Sequence, residues 1–175
     1  IKQPDVLLLP FFFSRDYTLA EKRANYDYYE PRCIHESSLS PGLHSILATE
    51  LGRHKEAFAF AEHASRLDLD DYNRNAHEGL HTTSMAAAWM NMVYGFGGMR
   101  SDGPRLSFAP SIPEKWKSYT FRVIYKGSVL RVRVCGKEAG FCIMEGSPVT
   151  CEVYGKKVTL GKQEKRFSIP KERVG

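Results

Sequence analysis

The hydrophobic period of the chain changes once, near residue 104, and this change restricts the fold more than any other feature of the sequence. Before it, apolar residues recur every three or four positions, which is the period of an amphipathic helix. Beyond it, apolar and charged residues alternate, which is the period of a half-buried strand. We therefore expect an α + β chain in two parts, with helices before this change and a small antiparallel sheet or sandwich after it.

Local signals mark several helix ends in the first part. Thr18 followed by Glu21 has the pattern of a capping box at a helix start. Ser40, followed by a proline, predicts a second start with Ser40 as the N-cap, and Gly52 predicts the end of that helix. A third start is expected near His81. Successive helices with short connections are typical of α-hairpin arrays or of part of an α-barrel.

Charge is unevenly distributed along the chain. The net charge is +5, and it is carried by the strand part, because residues 101–175 hold 15 of the 25 Lys and Arg and only 7 of the 20 Asp and Glu. These basic residues alternate with Val, Leu and Phe, as on the solvated face of a sheet. We therefore expect no nucleic-acid partner.

Neither a membrane nor an oxidising compartment is indicated. The longest apolar run, Val6–Phe13, is far shorter than the roughly 20 residues that span a bilayer, and it lacks the features of a signal peptide. The four cysteines show no CxxC pair and no metal spacing, although a Cys142–Cys151 bridge stays open. We expect a cytoplasmic protein with no membrane partner, and the start without Met suggests a piece of a longer chain.

The run His77-Glu78-Gly79-Leu80-His81 matches the H-E-x-x-H pattern of zinc peptidases. That chemistry needs both imidazoles on one face of a helix. Gly79 and the polar residues before His77 argue against a helix, and no histidine follows His81 to supply a third ligand. The pattern therefore predicts a chance match in a loop, and no metal site.

Two predicted helix starts have the chemistry of an anion site. Ser37 and Ser38 lie just ahead of the helix that begins near Ser40, where free backbone N–H groups and the helix dipole favour negative charge. His81 lies at another predicted start and can donate to the same kind of ligand. Each feature alone is also explained by capping or by a structural histidine.

A second polar group could bind a sugar. Lys2 and Gln3 offer donors, and Glu30 follows two tyrosines, which together are the groups that grip hydroxyls in a pocket. Lys, Gln and Tyr are equally common on helix surfaces, so these residues alone leave the ligand open.

Six short motifs occur in order along the chain: Lys2-Gln3-Pro4-Asp5-Val6, Tyr28-Tyr29-Glu30-Pro31, His35-Glu36-Ser37-Ser38-Leu39-Ser40-Pro41, Asp68-Leu69-Asp70-Asp71, Glu78-Gly79-Leu80-His81 and Gly95-Phe96-Gly97-Gly98. Together they closely resemble the inverting α-glucoside phosphorylases of glycoside hydrolase family 65, and most of all its maltose phosphorylases. The resemblance implies that residues 1–103 are the last helices of an (α/α)6 catalytic barrel. Residues 104–175 would then form the C-terminal β-domain.

The resemblance also implies the reaction. Phosphate attacks an α-glucosyl disaccharide, expected to be maltose, and gives β-glucose 1-phosphate with inversion. Only a general acid is needed, because phosphate itself is the nucleophile. No cofactor is expected, since inorganic phosphate is a substrate.

Site residues follow from the same motifs. Ser37, Ser38 and His81 would bind phosphate, Lys2 and Gln3 the glucosyl unit, and Glu30 the acceptor sugar. His35 is placed with the sugar-binding residues and is expected to shape their loop. The family's general acid, a Glu, lies upstream of the motif at Lys2, so no catalytic residue is expected in this chain.

Two alternatives stay open. One is a hydrolase of the same family that cleaves trehalose or kojibiose, although the intact serine pair and His81 argue against it. The other is a non-catalytic module for carbohydrate binding or assembly. The expected partners are the disaccharide, inorganic phosphate and the remainder of the parent enzyme, and the family resemblance allows a homodimer.

Overall fold

The helical pattern of the first part corresponds to five α-helices in the computed structural model, which describes residues 1–35 and 37–175. Their bounds are α1 Asp5–Phe12, α2 Leu19–Tyr29, α3 Ser40–Glu50, α4 His54–Arg66 and α5 Thr82–Met90. Short turns of 3₁₀-helix lie at Ser14–Asp16, Glu30–Arg32 and Ala76–Glu78, and a π-turn at Asn91–Phe96 continues from α5. The chain divides into two compact units, Ile1–Gly95 and Phe96–Gly175. The domain limits 1–103 and 104–175 stay a prediction.

The first unit is built around α3. Every residue of this helix from Ser40 to Thr49 is buried, and α1, α4 and α5 pack against it. A helix that is apolar or small on all sides needs neighbours on all sides. The large buried side chains of α3 include Leu43, Ile46 and Leu47, and smaller residues lie between them.

Side-chain capping explains the start of α2 but not that of α3. The predicted capping box is confirmed, because the Glu21 N–H donates to the Thr18 hydroxyl at 3.2 Å and the Thr18 N–H donates to the Glu21 carboxylate at 2.7 Å. The prediction for Ser40 is wrong by one position, since Ser40 is the first residue of α3 and Leu39 is the N-cap. The Ser40 hydroxyl donates instead to the Ser37 carbonyl at 3.2 Å.

Helices α3 and α5 approach each other closely at Gly42. A β-carbon built on Gly42 would lie 2.4 Å from the β-carbon of Ala87, far inside van der Waals contact. Only glycine permits this approach, because any larger residue needs the space that Ala87 fills. The contact lies two residues into α3, close to the Ser37–Ser38 segment.

The second unit contains seven strands among the described residues: β1 Ser107–Phe108, β2 Ser118–Tyr125, β3 Ser128–Cys135, β4 Glu138–Glu145, β5 Val149–Val153, β6 Lys156–Leu160 and β7 Lys165–Ser168. They form one sheet of order β1-β5-β6 and another of order β2-β3-β4-β7. The second sheet is antiparallel throughout. In the first sheet β1 pairs with β5 in parallel, which the alternating pattern did not predict.

The strand period correctly assigned the two faces of β3. Leu130, Val132 and Val134 are fully buried, whereas Arg131 and Arg133 between them reach towards solvent. Helices followed by sheets with mostly antiparallel pairing confirm the coarse fold class. The (α/α)6 barrel and the sandwich arrangement stay predictions. No helix of the described residues is long and apolar enough to cross a membrane.

We expect Gly42→Ala to destabilise the protein. The added methyl group must push α3 and α5 apart, and overpacking of this kind costs about 1–3 kcal/mol, which exceeds the gain of at most about 1 kcal/mol in helix propensity. Gly95→Ala is the matched control, because its added β-carbon would only make ordinary contacts of 3.6 Å or more. Thermal unfolding of the complete gene product measures both. An unchanged melting temperature for Gly42→Ala would contradict the close contact.

Candidate functional site

The Ser37–Ser38 segment is attached to the start of α5. The Ser38 and Thr83 hydroxyls lie 2.9 Å apart and share a hydrogen bond. The Ser84 hydroxyl donates to the Ser38 carbonyl at 3.2 Å. Since Thr83 and Ser84 belong to the first turn of α5, these contacts hold the segment next to His81, the N-cap residue of that helix.

A tight turn leads from Ser37 into α3. The Leu39 N–H donates to the Ser37 hydroxyl at 3.3 Å, and the Ser40 N–H donates to the Ser37 carbonyl at 3.2 Å. Both serines of the pair are partly exposed. Their hydroxyls therefore lie at a helix start and can reach a ligand. Glu36, which belongs to the same sequence motif, lies outside the described residues.

His81 is held by Asp68, which follows the end of α4. The imidazole Nδ1 lies 2.5 Å from Asp68 Oδ1, and the backbone N–H of His81 donates to Asp68 Oδ2 at 2.8 Å. The hydrogen bond from the imidazole, together with that from the backbone, lowers the pKa of the Asp68 carboxyl. Because Nδ1 is engaged by an ionised carboxylate, Nε2 is the nitrogen that His81 presents to a ligand.

The first residues of the chain lie beside the segment that precedes Ser37. The Ile34 N–H donates to the Ile1 carbonyl at 3.0 Å, and the Cys33 thiol lies 3.9 Å from the Lys2 carbonyl. Gln3, Leu39 and Thr83 line a common cavity of about 230 Å³. The cavity therefore joins a predicted sugar-binding residue to the neighbours of the serine pair.

Glu30 and His35 contact each other. The Glu30 carboxylate lies 3.3 Å from the His35 Nε2, and both side chains are about one-quarter exposed. His35 has a positive φ of 53°, which a non-glycine residue adopts rarely. Its ring packs on His44 and Phe60. The backbone turn at His35 agrees with its predicted role in shaping the loop, while the roles of both residues towards sugar stay predictions.

Among the described residues, one group could hold a metal ion. The ligand atoms of Cys33, His35 and His44 lie within 4.8 Å of one another. The H-E-x-x-H pattern offers no such group, since Ala76–Glu78 is a 3₁₀ turn and Gly79 has φ 132°, so that His77 and His81 do not share a helix face. The prediction that this pattern lies outside an α-helix is confirmed, and the absence of a metal site there stays a prediction.

His44 is a structural histidine. Its ring is fully buried and its Nδ1 lies 2.8 Å from the Ser40 carbonyl. Burial lowers the pKa of His44 to about 4, and the charge of the nearby His35 acts in the same direction. The ring is therefore neutral near pH 7, and its Nδ1–H donates to the carbonyl.

The structure thus attaches Ser38 to the first turn of α5, which His81 caps. Gln3 lines a cavity with Leu39 and Thr83, which neighbour this turn. Sequence reasoning missed Asp68 and Thr83. Thr83 could have been found as a hydroxyl in the first turn of the helix that starts at His81. Asp68 had no local signal, because its contact with His81 joins residues 13 positions apart.

Family comparisons assign both parts of the chain. Residues 1–90 match the model described as the glycosyl hydrolase family 65 central catalytic domain. Residues 99–160 match the family's C-terminal domain. The chain belongs to glycosyl hydrolase family 65. The family predicted from the sequence motifs is therefore confirmed.

Several curated relatives of this family 65 chain are named as disaccharide phosphorylases. A maltose phosphorylase of Bacillus subtilis is 44% identical over 95% of the chain. An α,α-trehalose phosphorylase of Thermoanaerobacter brockii is 44% identical over 93% of the chain. A kojibiose phosphorylase of Caldanaerobacter subterraneus is 36% identical over 91% of the chain. The chain spans only 21–22% of the length of these relatives.

A solved structure has the same fold as the family 65 chain. The putative kojibiose phosphorylase from human microbiome superposes with a TM-score of 0.90 and 43% identity. The match covers 96% of this chain and 25% of that one. Three kinds of phosphorylase are thus similar to the chain, and they differ in the disaccharide that their names give.

We expect the buried His44 to make the family 65 chain less stable at acid pH. The unfolded chain takes up this proton near pH 6.5 and the folded chain only near pH 4. The stability is therefore complete above about pH 6.5 and falls by roughly 3 kcal/mol as the pH drops to about 4. His44→Asn keeps a donor for the Ser40 carbonyl but cannot titrate.

Melting temperatures of the complete gene product between pH 8 and pH 4 test this expectation. The wild-type value should fall more steeply than that of His44→Asn, and exposed His77→Asn should follow the wild type. Parallel curves for wild type and His44→Asn would show that His44 does not set the acid response.

Proposed function

We propose that the enzyme to which these residues belong phosphorolyses an α-glucosyl disaccharide and inverts the anomeric configuration. The observation that carries the proposal is a pair of hydrogen bonds at the first turn of α5, the helix that His81 caps. The Ser38 hydroxyl shares one with the Thr83 hydroxyl, and the Ser84 hydroxyl donates the other to the Ser38 carbonyl. The linked starts of α3 and α5, together with the His81 imidazole, suit an anion with several acceptor oxygens. Inorganic phosphate is such an anion.

Phosphate would be bound by groups of three kinds. Ser37 and Ser38 supply hydroxyls that can donate to phosphate oxygens. The starts of α3 and α5 supply positive ends of helix dipoles. His81 supplies Nε2, which donates when the ring is protonated. Hydrogen bonds to a charged oxygen are stronger than neutral ones, so this combination favours an anion over water.

With phosphate as the nucleophile, the proposed enzyme needs only one catalytic carboxyl group. An inverting hydrolase uses one carboxyl group to protonate the leaving oxygen and another to activate water. A phosphorylase needs only the first, since phosphate is already a nucleophile. By resemblance, that general acid is a Glu upstream of Lys2, so Glu30 is assigned to the acceptor sugar and not to acid catalysis.

The sugar-binding assignment rests on the family resemblance of the Lys2-Gln3 motif, because the cavity beside Gln3 is lined mainly by apolar side chains. Gln3 shares the cavity with Leu39 and Thr83, and so lies near the proposed phosphate groups. Lys2 and Gln3 would hydrogen-bond the glucosyl unit, which must meet the phosphate at its anomeric carbon. Maltose is the proposed disaccharide, and trehalose and kojibiose are the two substrates to compare with it.

We expect the complete gene product to release β-glucose 1-phosphate from maltose only when phosphate is present. The assay supplies maltose, trehalose or kojibiose with and without phosphate and measures glucose 1-phosphate and free glucose. If glucose 1-phosphate forms from trehalose or from kojibiose but not from maltose, that disaccharide replaces maltose as the proposed substrate. Release of glucose at the same rate without phosphate would contradict phosphorolysis and favour a hydrolase.

We expect His81→Ala to raise the KM for phosphate by about tenfold to a hundredfold, since a hydrogen bond to a charged group is worth about 1.5–3 kcal/mol. The KM for the disaccharide should change little, because the imidazole contacts the nucleophile. Steady-state kinetics with either substrate varied measure both values. His77→Ala is the control, because His77 is exposed in the same loop. Equal increases in both KM values would remove His81 from the phosphate site.

A further inference from the structure

Both carboxylate oxygens of Asp68 accept hydrogen bonds from a single residue, His81. Oδ1 lies 2.5 Å from the His81 Nδ1 and Oδ2 accepts the His81 backbone N–H at 2.8 Å. The Asp68 side chain is 15% exposed and that of His81 is 20% exposed. Two hydrogen bonds in a mostly covered position fix both the backbone and the ring of one histidine.

The carboxylate selects one tautomer of the imidazole. An ionised carboxylate only accepts hydrogen bonds, so the nitrogen that faces it must carry a proton. The lowered pKa of Asp68 keeps the carboxyl ionised. Nδ1 of His81 is therefore the protonated nitrogen of the neutral ring. Nε2, on the far edge of the ring, is the nitrogen left to face a ligand, and it donates to an anion when it too carries a proton.

The carboxylate also fixes where Nε2 lies. His81 is the N-cap of α5, and its backbone φ and ψ of −80° and 81° are not helical. Without a second anchor the ring could turn about its side-chain bonds into other rotamers. Asp68 removes this freedom by holding Nδ1 and the backbone at once. The first turn of the same helix holds Ser38 through Thr83. The His81 imidazole and the Ser38 hydroxyl are therefore both held at the start of α5.

We infer that Asp68 is a positioning residue for phosphate, which acts by holding the protonated Nδ1 of His81 so that Nε2 is directed to the anion. This role rests on the proposed function, because it requires His81 to bind phosphate. Asp68 itself does not contact the anion.

Asp68→Asn is the informative change because it preserves size and shape. The amide oxygen can still accept one hydrogen bond, so the link to the His81 backbone survives. The amide cannot accept both hydrogen bonds through oxygen, so the His81 Nδ1–H loses its acceptor and the ring is no longer held in one orientation. We expect the KM for phosphate to rise at least about tenfold. The KM for the disaccharide should stay within about twofold.

Asp70→Asn is the matched control. Asp70 lies in the same loop and makes two hydrogen bonds to the Arg66 guanidinium, each 2.6 Å long. Its replacement removes a carboxylate and an ion pair of the same kind without touching His81. The KM for phosphate should therefore stay at the wild-type value, and the melting temperatures of the two variants should be similar.

A double-mutant cycle in the complete gene product separates positioning from a general structural effect. In a His81→Ala background, Asp68→Asn should raise the phosphate KM no further, because Asp68 acts only through the ring. Additive effects, or equal increases in the KM of both substrates, would overturn the role of Asp68. If His81→Ala raises the phosphate KM as expected but Asp68→Asn leaves it unchanged, the positioning role of Asp68 fails and the role of His81 stands. If His81→Ala leaves the phosphate KM unchanged, the phosphate contact of the proposed function fails as well.

Discussion

The close approach of α3 and α5 at Gly42 and Ala87 determines the geometry of the candidate site. The serine pair precedes one of these helices and His81 precedes the other, so the spacing of the helix axes sets the spacing of hydroxyls and imidazole. The Ser38–Thr83 hydrogen bond then fixes how far one helix is shifted along the other. The proposed anion binding therefore depends on a packing contact between two small residues, because a separated pair of helices would place the donors too far apart to share one ligand.

Two histidines show how the partner of one nitrogen decides what a ring can do. In both, Nδ1 is engaged, by the Ser40 carbonyl at His44 and by the Asp68 carboxylate at His81. His44 is fully buried, and loss of solvent lowers its pKa and keeps it neutral. His81 lies at the edge of the site beside a negative charge. The first ring is enclosed in the core, whereas the second keeps Nε2 available for the proposed contact with phosphate.

Sequence alone predicted much of this arrangement, because the deciding signals are local. The hydrophobic period separated helices from strands, and the capping box at Thr18 and the buried face of β3 followed from neighbouring residues. The position of Ser40 was wrong by one residue, since a serine before proline reads as a cap even where its hydroxyl bonds backward to Ser37. The parallel pairing of β1 with β5 and the link between Asp68 and His81 join distant segments, and no local pattern encodes such contacts.

The Asp68–His81 link closes the loop of residues 69–80, and the loop is exposed over most of its length. Closing a flexible loop costs only about 0.6 kcal/mol more for each doubling of its length. Insertions and substitutions between the two anchors therefore change the rim of the site without moving the imidazole. Residues 69–80 can therefore vary more freely during evolution than Asp68 and His81, whose hydrogen bonds hold the two ends of the loop together.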